Sequence, residues 1–322
     1  MTKKITINHS FTQLYPLISI LLAVYNPNYE WFKEQLMSLD NQTYENLELI
    51  IYDDCPDKPV DNKFIEKYIK NINYKIIRGK ANRGSNIAFE ELTKLGQGQY
   101  FAYCDQDDIW EKDKLRILFD TIQKENSTLA YSDMAVIDGE GKHKFDSLLE
   151  AKPRLKYVYG ENLTSSFFFK NCVSGCCMLI RSDISKSAVP FSKYIVHDQW
   201  LCIVASLYGK ISFVDKPLSK YRIHGNNQTG SLKGIESKKD YYRCRVDVLN
   251  YRLNELKHFL LDMKSYNNID LNNIEKFCDA RIRKDLLTIF QYRDLCRSEA
   301  VFEIVAKYMP DICFKYILNR LK

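Results

Sequence analysis

The chain has 322 residues, 45% hydrophobic and 27% charged, which excludes a disordered or fibrous chain and suits one large or two modest globular domains. Its 47 Lys+Arg exceed 41 Asp+Glu only mildly, so an anionic ligand or a membrane surface fits the balance and nucleic acid is not singled out. No apolar run reaches the roughly 18 residues of a membrane-spanning helix, and the basic start MTKKITINHSFTQLYP lacks an apolar signal core, so a cytoplasmic protein is expected.

LISILLAVYN (Leu17 to Asn26) is a continuous apolar run closed by turn residues and predicts a central strand. A helical pattern follows from Tyr29 to about Asn41, then a second strand, NLELIIYDD (Asn46 to Asp54). A helix over about Val60 to Lys70 leads to the short strand YKIIR (Tyr74 to Arg78). The loop GKANRGSN opens a helix near Ser85. The strand YFAYC comes next, then the acidic run DQDD, then a helix from about Glu111 to Glu125. This alternation predicts a parallel sheet covered on both faces.

The pattern changes after LAYSDMAVID (Leu129 to Asp138). A loop-rich stretch to about Tyr159 precedes an aromatic helix, a strand VSGCCMLIR (Val173 to Arg181) and a helix from His197 to Gly209. Ile211 to Gly230 reads as two short strands and a loop. From about Gly234, helical periodicity rich in Lys, Arg and Tyr suggests a separate helical appendage. The ten scattered cysteines lack zinc-ribbon spacing and read as buried reduced thiols.

Three strands end on polar groups at one edge: Tyr25-Asn26, Asp53-Asp54 and Asp105 to Asp108. In parallel sheets ligands bind beyond that edge. Alternation along an extended segment would aim Asp105 and Asp107 at one target and turn Asp108 toward the next helix. Two hard oxygen ligands with open positions suit Mg²⁺ or Mn²⁺, whereas a helix cap needs a single acid. A carboxylate at Asp53 or Asp54 could accept from a base N–H or a ribose hydroxyl, or else close an Asx-turn. The amides of NRGSN could face an anion. Asp198, at a helix start, suits a general base or a cap, and His224 suits a metal or diphosphate ligand or a solvated loop residue.

In this order, ISILLAVYN, ELIIYDD, ANRGSN, YCDQDDIW, VSGCCMLIR, HDQW and YRIHGNNQTG resemble the family 2 glycosyltransferases over about residues 16 to 230. DQDDIW and YRIHGNN are most similar to bacterial rhamnosyltransferase-type members that build cell-wall or capsular polysaccharide. The resemblance implies an α/β fold of GT-A type, a Rossmann-like mixed sheet flanked by helices. It divides the chain into a nucleotide-sugar half (about 16–138), an acceptor half (about 139–230) and a helical C-terminal region (231–322).

By the same resemblance, Ala23, Tyr25 and Asp53 line the base and ribose pocket, with Arg83 and Gly84 nearby. Asp105 faces the ribose or metal, Asp107 binds the metal, Asp108 and Trp110 shape the donor pocket, Asp198 is the catalytic base, and His224 lies by the diphosphate or metal. The implied cofactor is Mn²⁺ or Mg²⁺. The implied donor is a dTDP- or UDP-sugar, rhamnose being favoured, and the acceptor a glycan or polyprenyl-linked glycan. The C-terminal region is expected to touch the inner face of the membrane peripherally, to pack on the core, or to form a homodimer. Three departures stand out: DDCPD after the second strand, His197 before the base, and Cys176-Cys177 after Gly175. A sugar-1-phosphate nucleotidyltransferase would need a glycine-rich basic run near the first strand, which ISILLAVYNPN lacks. A non-catalytic sugar-binding protein would dispense with the acids or Asp198, and both are present.

Overall fold

The computed structural model describes residues 15–225, 227, 234–263 and 269–321. The basic start of the chain and most of GNNQTG lie outside the described residues. Strand β1 (Ile18–Val24) is buried at every position but Ala23. It pairs in parallel with β2 (Leu47–Asp53) on one side and β4 (Tyr100–Cys104) on the other, and β3 (Asn73–Arg78) flanks β2. The connections are α1 (Tyr29–Asp40), α2 (Asn62–Tyr68) and α3 (Ser85–Leu95). Asn28 starts α1 as a cap, its side-chain oxygen accepting from the amides of Glu30 and Trp31. Leu21 joins one apolar core while Ile20 and Leu22 join another, so the sheet is covered on both faces, as its unbroken apolar run implies.

Beyond β4 the sheet is mixed. Its order is β3-β2-β1-β4-β8-β6-β9-β5, where β5 is Ile109–Trp110, β6 Leu129–Ile137, β8 Met178–Arg181 and β9 Ile211–Arg222; β7 (His143–Phe145) pairs with β6 off this path. The parallel expectation holds for β3-β2-β1-β4; beyond them β8 runs antiparallel to both its neighbours, while β6 and β9 pair in parallel. Helices α4 (Lys114–Glu125), α5 (Leu148–Ala151), α6 (Thr164–Phe169), α7 (Ser182–Ser187) and α8 (His197–Tyr208) complete this half.

Two expected strands differ. Val173 to Arg181 is extended only over β8, because Gly175–Cys177 forms a 3₁₀ turn. A Cβ on Gly175 would lie 2.7 Å from His197 Nε2, so the turn needs glycine there. Ile211 to Arg222 is one strand rather than two. Its register against β6 slips near Pro217, a residue with no amide to donate, and the sequence there looks like a break.

The C-terminal helices are α9 (Lys238–Tyr241), running through a π turn into α10 (Val248–Asp262), then α11 (Leu271–Arg283), α12 (Leu286–Gln291), α13 (Arg297–Tyr308) and α14 (Asp311–Leu321). Leu249, Leu253, Leu256 and Leu260 of α10 recur at helical spacing and enter the same apolar core as α8, which fastens this region to the sheet. Farther out, buried Arg281 and Glu303 pair α11 with α13 at 2.7 Å, and Tyr241 donates to the same carboxylate.

Candidate active site

The ends of β1, β2 and β4 meet at the point where successive crossovers change direction, from β2 and β3 on one side of β1 to β4 on the other. Gln106 clamps that point. It accepts from the Tyr25 amide (2.8 Å) and donates to the Tyr25 carbonyl (3.1 Å), leaving the Tyr25 ring half exposed beside partly buried Ala23.

The two acids that end β2 have different partners. Asp53 accepts from the amides of Cys55 (3.1 Å) and Val60 (2.8 Å) and pairs with Arg78, its register neighbour on β3. The Asx-turn reading therefore fits Asp53, whose carboxylate organises the DDCPD loop. Asp54 accepts from the amides of Arg83 and Gly84 through Oδ2, both at 2.8 Å. The anion that NRGSN faces is thus a side chain of the protein, while the Arg83 side chain itself is exposed. Gly84 adopts φ +84°, which brings its amide to that carboxylate. Asp54 Oδ1 is buried and has no hydrogen-bond partner.

After Cys104 the backbone bends, so strand alternation no longer applies and the expected pairing of Asp105 with Asp107 is replaced. Asp105 and Asp108 group instead with Cys176, their donor atoms all lying within 4.8 Å of one another. Asp107 Oδ2 meets His224 Nε2 at 2.7 Å, and both side chains are partly exposed. Burial, then Asp108 and Asp107, push Asp105 well above the ordinary carboxylate range. Burial and Asp107 raise Asp108 to about 7.

Two cations hold this loop. Arg222, at the end of β9 and 1% exposed, donates from Nε to the Asp107 carbonyl (2.8 Å), from its amide to Asp108 Oδ1 (3.0 Å), and from Nη2 to Glu34 of α1. Its guanidinium lies 5.4 Å from the Trp31 ring, which also packs on His224 at 4.6 Å. Asn227 fixes the turn by accepting from the His224 amide (2.6 Å) and donating to the Arg222 carbonyl (3.0 Å). Lys114, fully buried, donates to the Cys176 carbonyl and lies 3.3 Å from the centre of the Trp110 ring; burial lowers its pKa to about 8. Trp110 is buried in the core on α1's side of the sheet, where its amide donates to Ser38 Oγ (3.0 Å).

Asp198 lies in the first turn of α8, where Oδ1 accepts from Asn171 Nδ2 (3.0 Å) and the Gln199 amide (2.6 Å). Burial raises its pKa to about 6, opposed by these bonds and by the Gly175 amide. It is close enough to the acidic loop that its charge raises Asp105. The neighbouring residues of HDQW are structural. His197 stacks on Phe89 at 4.1 Å and burial lowers it to about 3, so it stays neutral. Gln199 donates to the carbonyls of Phe167 and Phe168, and Trp200 to that of Ala188. Asn86 accepts from the His197 amide (2.7 Å) and so ties the start of α3 to the start of α8.

Gln106, Glu34, Asn86, Asn171, Lys114 and Arg222 were not singled out from sequence. Arg222 had a faint signal in its place two residues before His224; Lys114 had none, since EKDKL reads as a solvated helix start. A separate cavity of about 420 Å³ opens by Glu125, Thr128, Tyr208 and Lys210, and none of the candidate residues borders it.

A mixed sheet with a carboxylate edge at its switch point, and a buried acid close enough to act on that edge, is the arrangement of the GT-A type. The chain belongs to glycosyl transferase family 2, whose pattern matches residues 19–187. It is 29% identical over 255 residues to an uncharacterized glycosyltransferase of Methanocaldococcus jannaschii, covering 76% of this chain and 82% of that one. It is 26% identical over 264 residues (77% and 97%) to the UDP-Glc:alpha-D-GlcNAc-diphosphoundecaprenol beta-1,3-glucosyltransferase WfgD of Escherichia coli. Identity to the dTDP-rhamnosyl transferase RfbG of Shigella flexneri is 27% over 237 residues (67% and 76%). The crystal structure of S. aureus TarS 1-349 in complex with UDP-GlcNAc superposes with a TM-score of 0.57 at 18% identity, over 82% of this chain and 72% of that one, a likeness of fold.

Proposed function

We propose that the protein transfers a sugar from a nucleoside diphosphate donor to a glycan or polyprenyl-linked acceptor, with inversion, in cell-surface polysaccharide synthesis at the inner face of the membrane. The observation that carries this is Asp198: a buried carboxyl, oriented by Asn171 and the Gln199 amide, raised to about 6 and within electrostatic reach of the acidic loop. As the acceptor oxygen bonds to the anomeric carbon, its proton passes to Asp198 and the nucleoside diphosphate leaves from the opposite face. A base raised toward the working pH takes that proton more readily than an ordinary aspartate.

Tyr25 and Ala23 flank the base, and Asp54 Oδ1, buried without a donor, accepts from the base or ribose. This role falls to Asp54 because Asp53 is spent on its own loop. The Asp107 carboxylate and His224 imidazole, 2.7 Å apart and partly exposed, suit Mn²⁺ or Mg²⁺ in place of the hydrogen bond between them. What a divalent cation supplies there is positive charge against the leaving diphosphate. UDP- and dTDP-sugars are both candidate donors, rhamnose among the sugars, since the relatives' names point each way.

The test is nucleoside diphosphate release from a panel of nucleotide sugars with Mn²⁺, Mg²⁺ or EDTA. Metal-dependent release from one donor is the expected result.

A further inference from the structure

We propose that the cavity of about 420 Å³ beside Tyr208 is a sugar-binding subsite, set at the sheet edge opposite the acidic loop and suited to a neutral pyranose unit of a glycan. It opens where β6 and β9 begin, their first residues Leu129 and Ile211 side by side, and where β8 ends at Arg181. Arg222 and the acidic loop lie at the other end of β9, roughly 30 Å away at about 3.3 Å per residue. Main-chain bonds fix the walls. Gly160 and Ile211 exchange hydrogen bonds of 2.7 and 2.8 Å, which seats the loop bearing Glu161 and Asn162 against β9. The Thr128 amide donates to the Lys210 carbonyl (2.8 Å) and the Arg181 amide to the Thr128 carbonyl (3.1 Å). The volume falls in the range of about 300–1,000 Å³ that small-molecule sites occupy.

The side chains select the ligand. Both cations at the cavity are taken: Arg181 donates from Nε and Nη2 to Asp183, and Lys210 pairs with Glu125 at 2.8 Å. Glu161 has no cationic partner among the described residues, so the charge left over is negative and disfavours a phosphate or nucleotide. An apolar ligand is disfavoured too, because it would strip these groups of water. Asn126 and Asn162, both exposed, make no side-chain hydrogen bond among the described residues. Each carboxamide offers donors and an acceptor, and the carboxylate offers acceptors, a set that suits neighbouring hydroxyls. The Tyr208 ring, 41% exposed, gives an apolar surface for the C–H face of a pyranose. A glycan held here stays near the enzyme while its end is elsewhere, as a second binding module would keep it. That use rests on the transferase reading, whereas the binding itself does not.

The test is saturation-transfer NMR on the full-length protein, in EDTA and without donor, using the methyl glycosides of glucose, galactose, N-acetylglucosamine and rhamnose. The expected result is transfer to at least one glycoside that is lost in Tyr208→Ala and in Asn162→Gly and kept in Asp198→Asn. Both altered side chains are exposed, and glycine accepts the left-handed backbone at 162 (φ 58°), so each variant should fold. No transfer to any glycoside, its survival in either variant, or its loss in Asp198→Asn overturns the proposal. No donor is turned over in this experiment, so its failure leaves the transferase reading intact.

Discussion

At the scale of single residues, the base role proposed for Asp198 makes a prediction about pH. A raised carboxyl pKa means that the basic form is complete above the folded value and is lost as pH falls through it. With Asp198 near about 6, kcat under saturating donor and acceptor is expected to drop with unit slope below that pH. A flat profile down to about pH 5 would contradict the assignment. Asp54 makes a separate prediction. Asp54→Asn can keep one oxygen on the Arg83 and Gly84 amides but puts an NH₂ where Oδ1 was. A wrong-handed polar group at a buried contact costs about 1–3 kcal/mol, so the donor KM should rise roughly tenfold or more with a smaller change in kcat. In HDQW, Asp198 read equally as a base or a helix cap, and the resemblance alone favoured the base; the structure puts it in the first turn of α8 with its carboxyl raised. Which of Asp53 and Asp54 faces a ligand was not legible. Arg78, which claims Asp53, lies 25 residues away in sequence and reaches it only through strand register.

At the scale of elements, β9 links the far half of the sheet to the acidic loop. Its end supplies Arg222, which fixes the Asp107 carbonyl and braces against Glu34 on α1. Partners behind metal ligands typically matter by about 10–100-fold in affinity. Arg222→Ala should therefore weaken Mn²⁺ binding, measured by electron paramagnetic resonance, by a factor in that range; unchanged affinity would show that the loop holds itself. The strand–helix alternation through α4 was legible because unbroken apolar runs and helical spacing differ in period. The two-residue β5 was not, since Ile109–Trp110 is a strand only by virtue of Ser219 and Lys220 beside it. The 3₁₀ turn at Gly175 was missed for a related reason: buried GCC carries no periodicity, and the imidazole that shapes it arrives from α8.

At the scale of the whole molecule, the resemblance of ordered motifs gave the architecture, while the placement of the C-terminal helices came only with the structure. Helical periodicity in α10 announced an apolar face but not its partner, the core that also holds α8. The outermost helices leave Val301, Val305, Tyr308, Ile312 and Tyr316 exposed at helical spacing, beside Lys307, Lys315 and Arg320. No described helix is long and apolar enough to cross a membrane, so contact there would be with the surface. Flotation with vesicles containing anionic lipid should carry the protein upward, and Val305→Glu with Ile312→Glu should leave it at the bottom. Failure of the wild type to float would remove the membrane role and leave that face to another partner.

The most direct measurement of the central claim is donor turnover compared between Asp198→Asn and Asp107→Ala, each against the wild type with Mn²⁺ and acceptor present. The account predicts that Asp198→Asn lowers kcat by about 10²–10⁴-fold with the donor KM nearly unchanged, whereas Asp107→Ala loses both kcat and donor affinity. Turnover in Asp198→Asn within a few fold of wild type would contradict it and require another base.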